Sequence, residues 1–88
     1  MSEGQTTTDH SVIRDWIEAR GGRPSRVKGT GGHDDAGLLR IDFGDAEDAL
    51  EEISWADFFA TFEHSGLAFL YQEADDSRFN KFIRRPSK

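Results

Sequence analysis

Apolar and polar positions alternate along this chain with two different periods, and the switch between them marks its elements. Val12, Ile13, Trp16 and Ile17 recur at the one-, three- and four-residue offsets of a helical stripe, leaving Arg14, Asp15 and Glu18 for water. Asp9 or Ser11 can cap that helix, Gly21-Gly22 can end it, and Pro24 keeps it from resuming. Leu39, Ile41 and Phe43 alternate with Arg40 and Asp42, the period of a strand with one wet face. Ser54-Trp55-Ala56-Asp57 reads as a capping box, with Ile53 placed to staple onto Phe58. The helix it opens carries Trp55, Phe58, Phe59 and Phe62 and closes at His64-Ser65-Gly66. Residues 67–71 are short and continuously apolar, which predicts a buried strand.

Other segments admit more than one reading. Residues 25–28 suit a short strand, and the glycines of 29–37 predict a flexible loop. Residues 46–52 fit either an acidic helical turn or a hairpin loop leading to a strand near 50–53. Phe79, Phe82 and Ile83 share a helix face that Ser77 could cap, yet Phe79, Lys81 and Ile83 also alternate as in a strand. A short helix or irregular segment docked by its aromatics is the favoured expectation there. Residues 2–9 carry no apolar anchor and are expected to fray.

The element order predicts an α+β fold: a small, mostly antiparallel sheet of three or four strands with two helices packed on one face. The expected boundaries are a flexible tail at 1–10, one domain at 11–85 and a flexible end at 86–88. The 88 residues suit one domain with a thin core. Such a core needs its large rings, so Trp55, Phe58 and Phe62 are expected inside, with Tyr71 and Phe79 less decided. No apolar run is long enough to span a membrane, and residues 1–10 lack a signal-peptide core, so a cytoplasmic protein is expected. Acidic residues far outnumber lysines, which fits either a high-salt organism or an ordinary acidic cytosolic protein.

Several stretches together carry a likeness. Residues 14–30, with Arg14-Asp15-Trp16 and Gly21-Gly22-Arg23-Pro24-Ser25-Arg26-Val27-Lys28, are followed by 37–43, by Ile53-Ser54-Trp55 with Phe58-Phe59, by 67–72 and by Ser77-Arg78-Phe79-Asn80-Lys81-Phe82. In these the chain resembles a small family of uncharacterised prokaryotic proteins of about this length. The resemblance covers nearly everything after Asp9. It implies a complete, domain-sized chain and brings no activity or catalytic residues with it.

Candidate chemistry is sparse. The chain has no cysteine, which excludes disulfides, thiolate nucleophiles and cysteine-ligated metals. The glycines around Thr30 lack the Gly-Lys-Ser/Thr ending of a phosphate loop, and Asp34 and Asp35 would repel an anion. His10, His33 and His64 are dispersed without ligand spacing, and Ser54 is engaged as a helix cap. Adjacent acids such as Glu51/Glu52 read as a solvated face. Neither a catalytic centre, a metal site nor a cofactor is expected.

Charge placement is the sharpest functional clue. The net charge is -6, yet residues 41–76 hold no Lys or Arg and residues 77–88 hold no acid. Arg23, Arg26 and Lys28 could converge with Arg78, Lys81, Arg84 and Arg85 into a basic surface. The same side chains could instead pair with the molecule's own carboxylates. The reading is a non-enzymatic accessory or protein-interaction module, with a protein partner or a second copy of the chain as its target. Weak nucleic-acid binding by the basic residues is the alternative.

Overall fold

The computed structural model describes residues 4–28, 38–44, 50–74 and 76–85. The expected loop at 29–37, the turn at 46–49 and the end at 86–88 lie outside those residues. The elements in order are β1 (Gln5–Thr7), α1 (His10–Ala19), β2 (Arg23–Val27), β3 (Leu39–Asp42), β4 (Leu50–Glu52), α2 (Trp55–His64), β5 (Leu67–Tyr71) and β6 (Asn80–Arg84).

Both helices begin and end as their local residues dictate. The Asp9 carboxylate accepts the amides of Ser11 (2.9 Å) and Val12 (3.4 Å). At the other end of α1, the Gly22 amide donates to the Ile17 carbonyl and the Gly21 amide to that of Glu18, with Gly21 at φ 72°. This double closure needs a left-handed residue, which glycine supplies without steric cost. Gly22 is required for a second reason. A Cβ there would come within 2.8 Å of Ile41 and 2.9 Å of Ile17. The Ser54 hydroxyl accepts the Asp57 amide at 3.0 Å, while the return bond of a full capping box is not made.

The class is α+β, with every strand pair antiparallel. The strands form two three-stranded sheets, in the orders β1-β5-β6 and β3-β2-β4, rather than one sheet of three or four. The cause is at the ends of the chain. Residues 5–7, expected in a frayed tail, pair with Phe69–Tyr71 as β1. The segment expected as a short helix or irregular stretch is β6, paired along the full length of β5. Residues 50–52 form the strand that one of the two sequence readings allowed, and β4 pairs on β2 opposite β3. Pro24 falls at the second position of β2, where its missing N–H interrupts no bond to β3, and its carbonyl still accepts the Ile53 amide at 3.0 Å.

The core lies where the two sheets meet the helices. Ile13, Trp16 and Ile17 from α1, Phe58 and Phe62 from α2, Leu39 and Ile41 from β3, and Phe69 and Tyr71 from β5 are buried. Helix α2 packs on β2, β3 and β5, so it spans both sheets. Phe82 of β6 explains why its segment is a strand. Its ring meets Phe58 at 5.8 Å, Phe62 at 6.5 Å and Phe69 at 5.5 Å, mostly edge to face. A strand register delivers that ring to the core while Lys81 stays in water.

Trp55 departs from expectation. Phe58, Phe62 and Tyr71 are buried, whereas Trp55 and Phe59 are half-buried and Phe79 is 48% exposed. Trp55 stacks on Phe59 (5.5 Å, 20°), which stacks on His10 (4.1 Å, 8°). Its position as the first residue of α2, ahead of the inward-facing pair Phe58 and Phe62, puts it on the rim rather than in the interior.

Candidate basic groove along the last strand

The seven basic residues singled out by sequence fall into two groups. Arg23, Arg26 and Arg85 are each engaged by the protein's own acids. Arg26 Nε meets Glu51 at 3.1 Å, Arg23 lies 3.6 Å from Glu52, and Arg85 reaches Glu63 through both terminal nitrogens at 3.2 and 3.1 Å. Arg85 also donates Nε to the Leu67 carbonyl at 3.1 Å, tying the end of β6 to the start of β5. The Arg23 and Arg26 pairs link β2 to β4, whose register is Ser25↔Glu52 and Arg26↔Glu51. Exposed pairs of this kind contribute about 0–1 kcal/mol each, but they do neutralise their cations.

Lys28, Arg78, Lys81 and Arg84 have no carboxylate partner among the described residues, and all four are exposed. Lys28 follows β2. The other three run along β6 and its approach. Arg78 lies over the Phe43 ring at 5.3 Å, a cation–π contact that ties the entry to β6 to the end of β3. One cation absent from the sequence expectation joins them. Arg40, on the wet face of β3, lines an open cavity of about 340 Å3 together with Asn80, Lys81 and Phe82. Its position on the exposed alternation of β3 was visible in the sequence; its nearness to Lys81 was not, because no local signal places β3 beside β6.

The backbone gives this groove a second property. Gly66 and Arg85 continue the β5–β6 register, and the Arg85 amide donates to the Gly66 carbonyl at 2.8 Å. Antiparallel alternation then turns Ile83 and Lys81 toward β5 and directs the N–H and C=O groups of Asn80, Phe82 and Arg84 away from it. β6 is the outer strand of its sheet, so those groups lie along an edge that no described strand pairs with. By the same rule the N–H and C=O groups of Leu39 and Ile41 point away from β2, since the Val27 amide bonds to the Leu38 carbonyl at 2.9 Å. The Arg40 guanidinium folds back to donate to the outward Leu39 carbonyl at 2.9 Å.

A second opening lies between the helices. A cleft of about 380 Å3 is lined by His10, Ser11, Arg14, Trp55, Ala56 and Phe59. Arg14 lies 5.5 Å over the Trp55 ring and bonds to Glu18 at 3.2 Å. Two aromatic faces beside an arginine here line an open cleft, against the expectation that Trp55 lies in the interior. Among the described residues, no cluster of three or more His, Asp or Glu side chains converges as a metal site would require. His33, Asp34 and Asp35 lie outside those residues.

Comparisons with protein-family models, with characterised proteins and with solved structures find no match to this chain. No helix among the described residues is long and apolar enough to cross a membrane.

Proposed function

We propose that this chain is a non-enzymatic interaction module that holds an acidic protein partner on the basic surface of β6, in a cytoplasmic setting. The observation that carries this reading is the shared cavity of Arg40 and Lys81, two cations from different sheets, with no acid among the described residues that line it. Two like charges held side by side raise each other's energy, and a partner carboxylate relieves both. Arg78 and Arg84 extend the positive charge to either side along the chain. Three of its acids are engaged elsewhere, Glu51 and Glu52 with Arg26 and Arg23 of β2 and Glu63 with Arg85.

Weak nucleic-acid binding is the second reading, and the Trp55–Phe59 stack beside Arg14 favours it, since such faces accept bases. Against it, Arg14 is shared with Glu18, and three of the seven basic residues that could follow a phosphate chain are engaged by glutamates.

Charge reversal at Arg40, Lys81 and Arg84 to Glu tests the proposal. Capture in low salt by the chain immobilised through its N-terminus should recover an acidic protein with the wild-type chain, lose it with the triple variant, and retain it with Trp55→Ala. Equal recovery by the wild type and the triple variant, with matching circular dichroism, would overturn the assignment. Binding of single-stranded oligonucleotide that Trp55→Ala abolishes would replace it with the second reading.

A further inference from the structure

We infer that the partner segment binds as an added strand: an extended, acidic stretch of polypeptide pairs with the open edge of β6 and places its carboxylates against Arg40, Lys81 and Arg84. This rests on the proposed function and specifies how the same surface works.

Three observations lead here. Asn80, Phe82 and Arg84 each present an outward N–H and C=O along an edge that no described strand covers. Such a row is a template for one more strand, and main-chain bonds then supply affinity while side-chain neighbours supply choice. The edge also has a floor. Phe82 lines the cavity from a position wedged against Phe58, Phe62 and Phe69, so the template is held by the core itself. Finally, the side chains beside the edge are of one sign. Lys81 lies on the strand, Arg40 across the cavity, and Arg84 at the end of the strand.

The charges also decide between occupants. A second copy of this chain adding its own β6 would bring Lys81 and Arg84 of both molecules onto one short ladder with no acid between them. That pairing is repelled, and an acidic strand is attracted by the same groups. β6 is five residues long, about 17 Å, which suits a partner stretch of five or six residues. Within it, acids at alternate positions would face Arg40 and Lys81, and β-branched residues between them would favour the extended form.

The test uses the full chain and a synthetic eight-residue peptide alternating Glu with Val or Thr, followed by fluorescence anisotropy at low salt. Two isomers carry N-methyl groups on either the odd or the even residues, so that each blocks one edge of the peptide strand. Strand addition predicts that one isomer binds like the parent and the other is weaker by about tenfold or more, the loss of one or more backbone hydrogen bonds. It also predicts slowed amide exchange at Asn80, Phe82 and Arg84 on binding, with Lys81 and Ile83 already slow in the free protein. If both isomers bind equally and Lys81→Glu still abolishes binding, strand addition is overturned while the acidic-partner reading stands. If the parent peptide does not bind, and reversing Arg40, Lys81 and Arg84 leaves partner capture unchanged, both fall. Dimers in sedimentation that Lys81→Glu strengthens would assign the edge to a second copy and also overturn the inference.

Discussion

Arg20 lies over Trp16, its guanidinium carbon 4.2 Å from the ring centroid, and it clamps the chain on which the last strand depends. From that seat it donates to the carbonyls of Trp16 (3.1 Å), Glu73 (3.3 Å), Ala74 (2.9 Å) and Ser77 (2.7 Å). Trp16 donates its own ring N–H to the Gln72 carbonyl at 2.7 Å. Together they anchor the connection between β5 and β6 to the end of α1. Lysine cannot reproduce this, because a single ammonium group lacks the planar fork that reaches several carbonyls at once.

Arg20→Ala should therefore destabilise the fold by about 2–3 kcal/mol, the scale of lost hydrogen bonds from a charged donor. Arg20→Lys should recover little of it. Urea unfolding measures both, and amide exchange should show the loss first at β6. A change of only a few tenths in free energy would mean that the connection holds without its clamp.

The two rings of α2 provide a calibrated pair. Phe58 is fully buried among aromatic neighbours, so Phe58→Ala should cost about 3–5 kcal/mol through lost transfer energy and a residual cavity. Trp55 is half-buried beside an open cleft, where no closed void would remain, so Trp55→Ala should cost about 1–2 kcal/mol. Thermal unfolding of the two variants checks the order. Equal losses would place Trp55 inside the core after all.

What could be read from the chain beforehand was what is decided locally. The caps Asp9 and Ser54 and the Gly21-Gly22 closure act within a few residues of themselves, and both helices lie where those signals put them. β6 was not legible, because Phe79, Phe82 and Ile83 satisfy a helical and a strand period alike. Only Phe58, Phe62 and Phe69, distant in sequence, choose the strand. β1 was invisible for the opposite reason: Gln5-Thr6-Thr7 has no apolar pattern, and its pairing is made by the backbone of β5. The basic residues divide the same way. That Arg85 would meet Glu63, or Arg26 meet Glu51, depends on the sheet register, whereas the absence of acids after Asp76 was plain.

The pairing of β1 on β5 has a consequence at the N-terminus. Gln5 lies opposite Tyr71 and Thr7 opposite Phe69, while the Thr7 hydroxyl accepts the Asp9 amide at 3.0 Å, joining the strand to the cap of α1. Removing residues 1–7 should lower the melting temperature by about 5–10 °C, the shift of 1–2 kcal/mol in so small a domain. It should also expose the edge of β5, where Phe69 and Tyr71 lie, and so promote self-association at raised concentration. Sedimentation velocity and thermal melts of the truncated chain measure both effects. A truncated chain as stable and monomeric as the full one would return these residues to the status of a tail.

Acid should loosen the junction between α1, α2 and the end of β6. The Glu63 carboxylate is held by two hydrogen bonds from Arg85 and by His10 Nε2 at 2.8 Å, while His10 stacks on Phe59. The Arg85 bonds first, and the His10 bond second, favour the ionised carboxylate and hold its pKa below the ordinary value of 4.5. A carboxyl with a depressed folded-state pKa contributes its full stability above the unfolded value and loses it as pH falls toward the folded one. The wild-type chain should therefore melt higher than Glu63→Gln at neutral pH, with the difference shrinking once the pH drops below 4.5. Because the group is largely exposed, the difference should be small and should also shrink in about 1 M salt, where the screening length is near 3 Å. Melting curves of both chains from neutral to strongly acid pH, at low and high salt, decide it. A gap that stays constant across that range would assign the contribution of Glu63 to packing rather than to its charge.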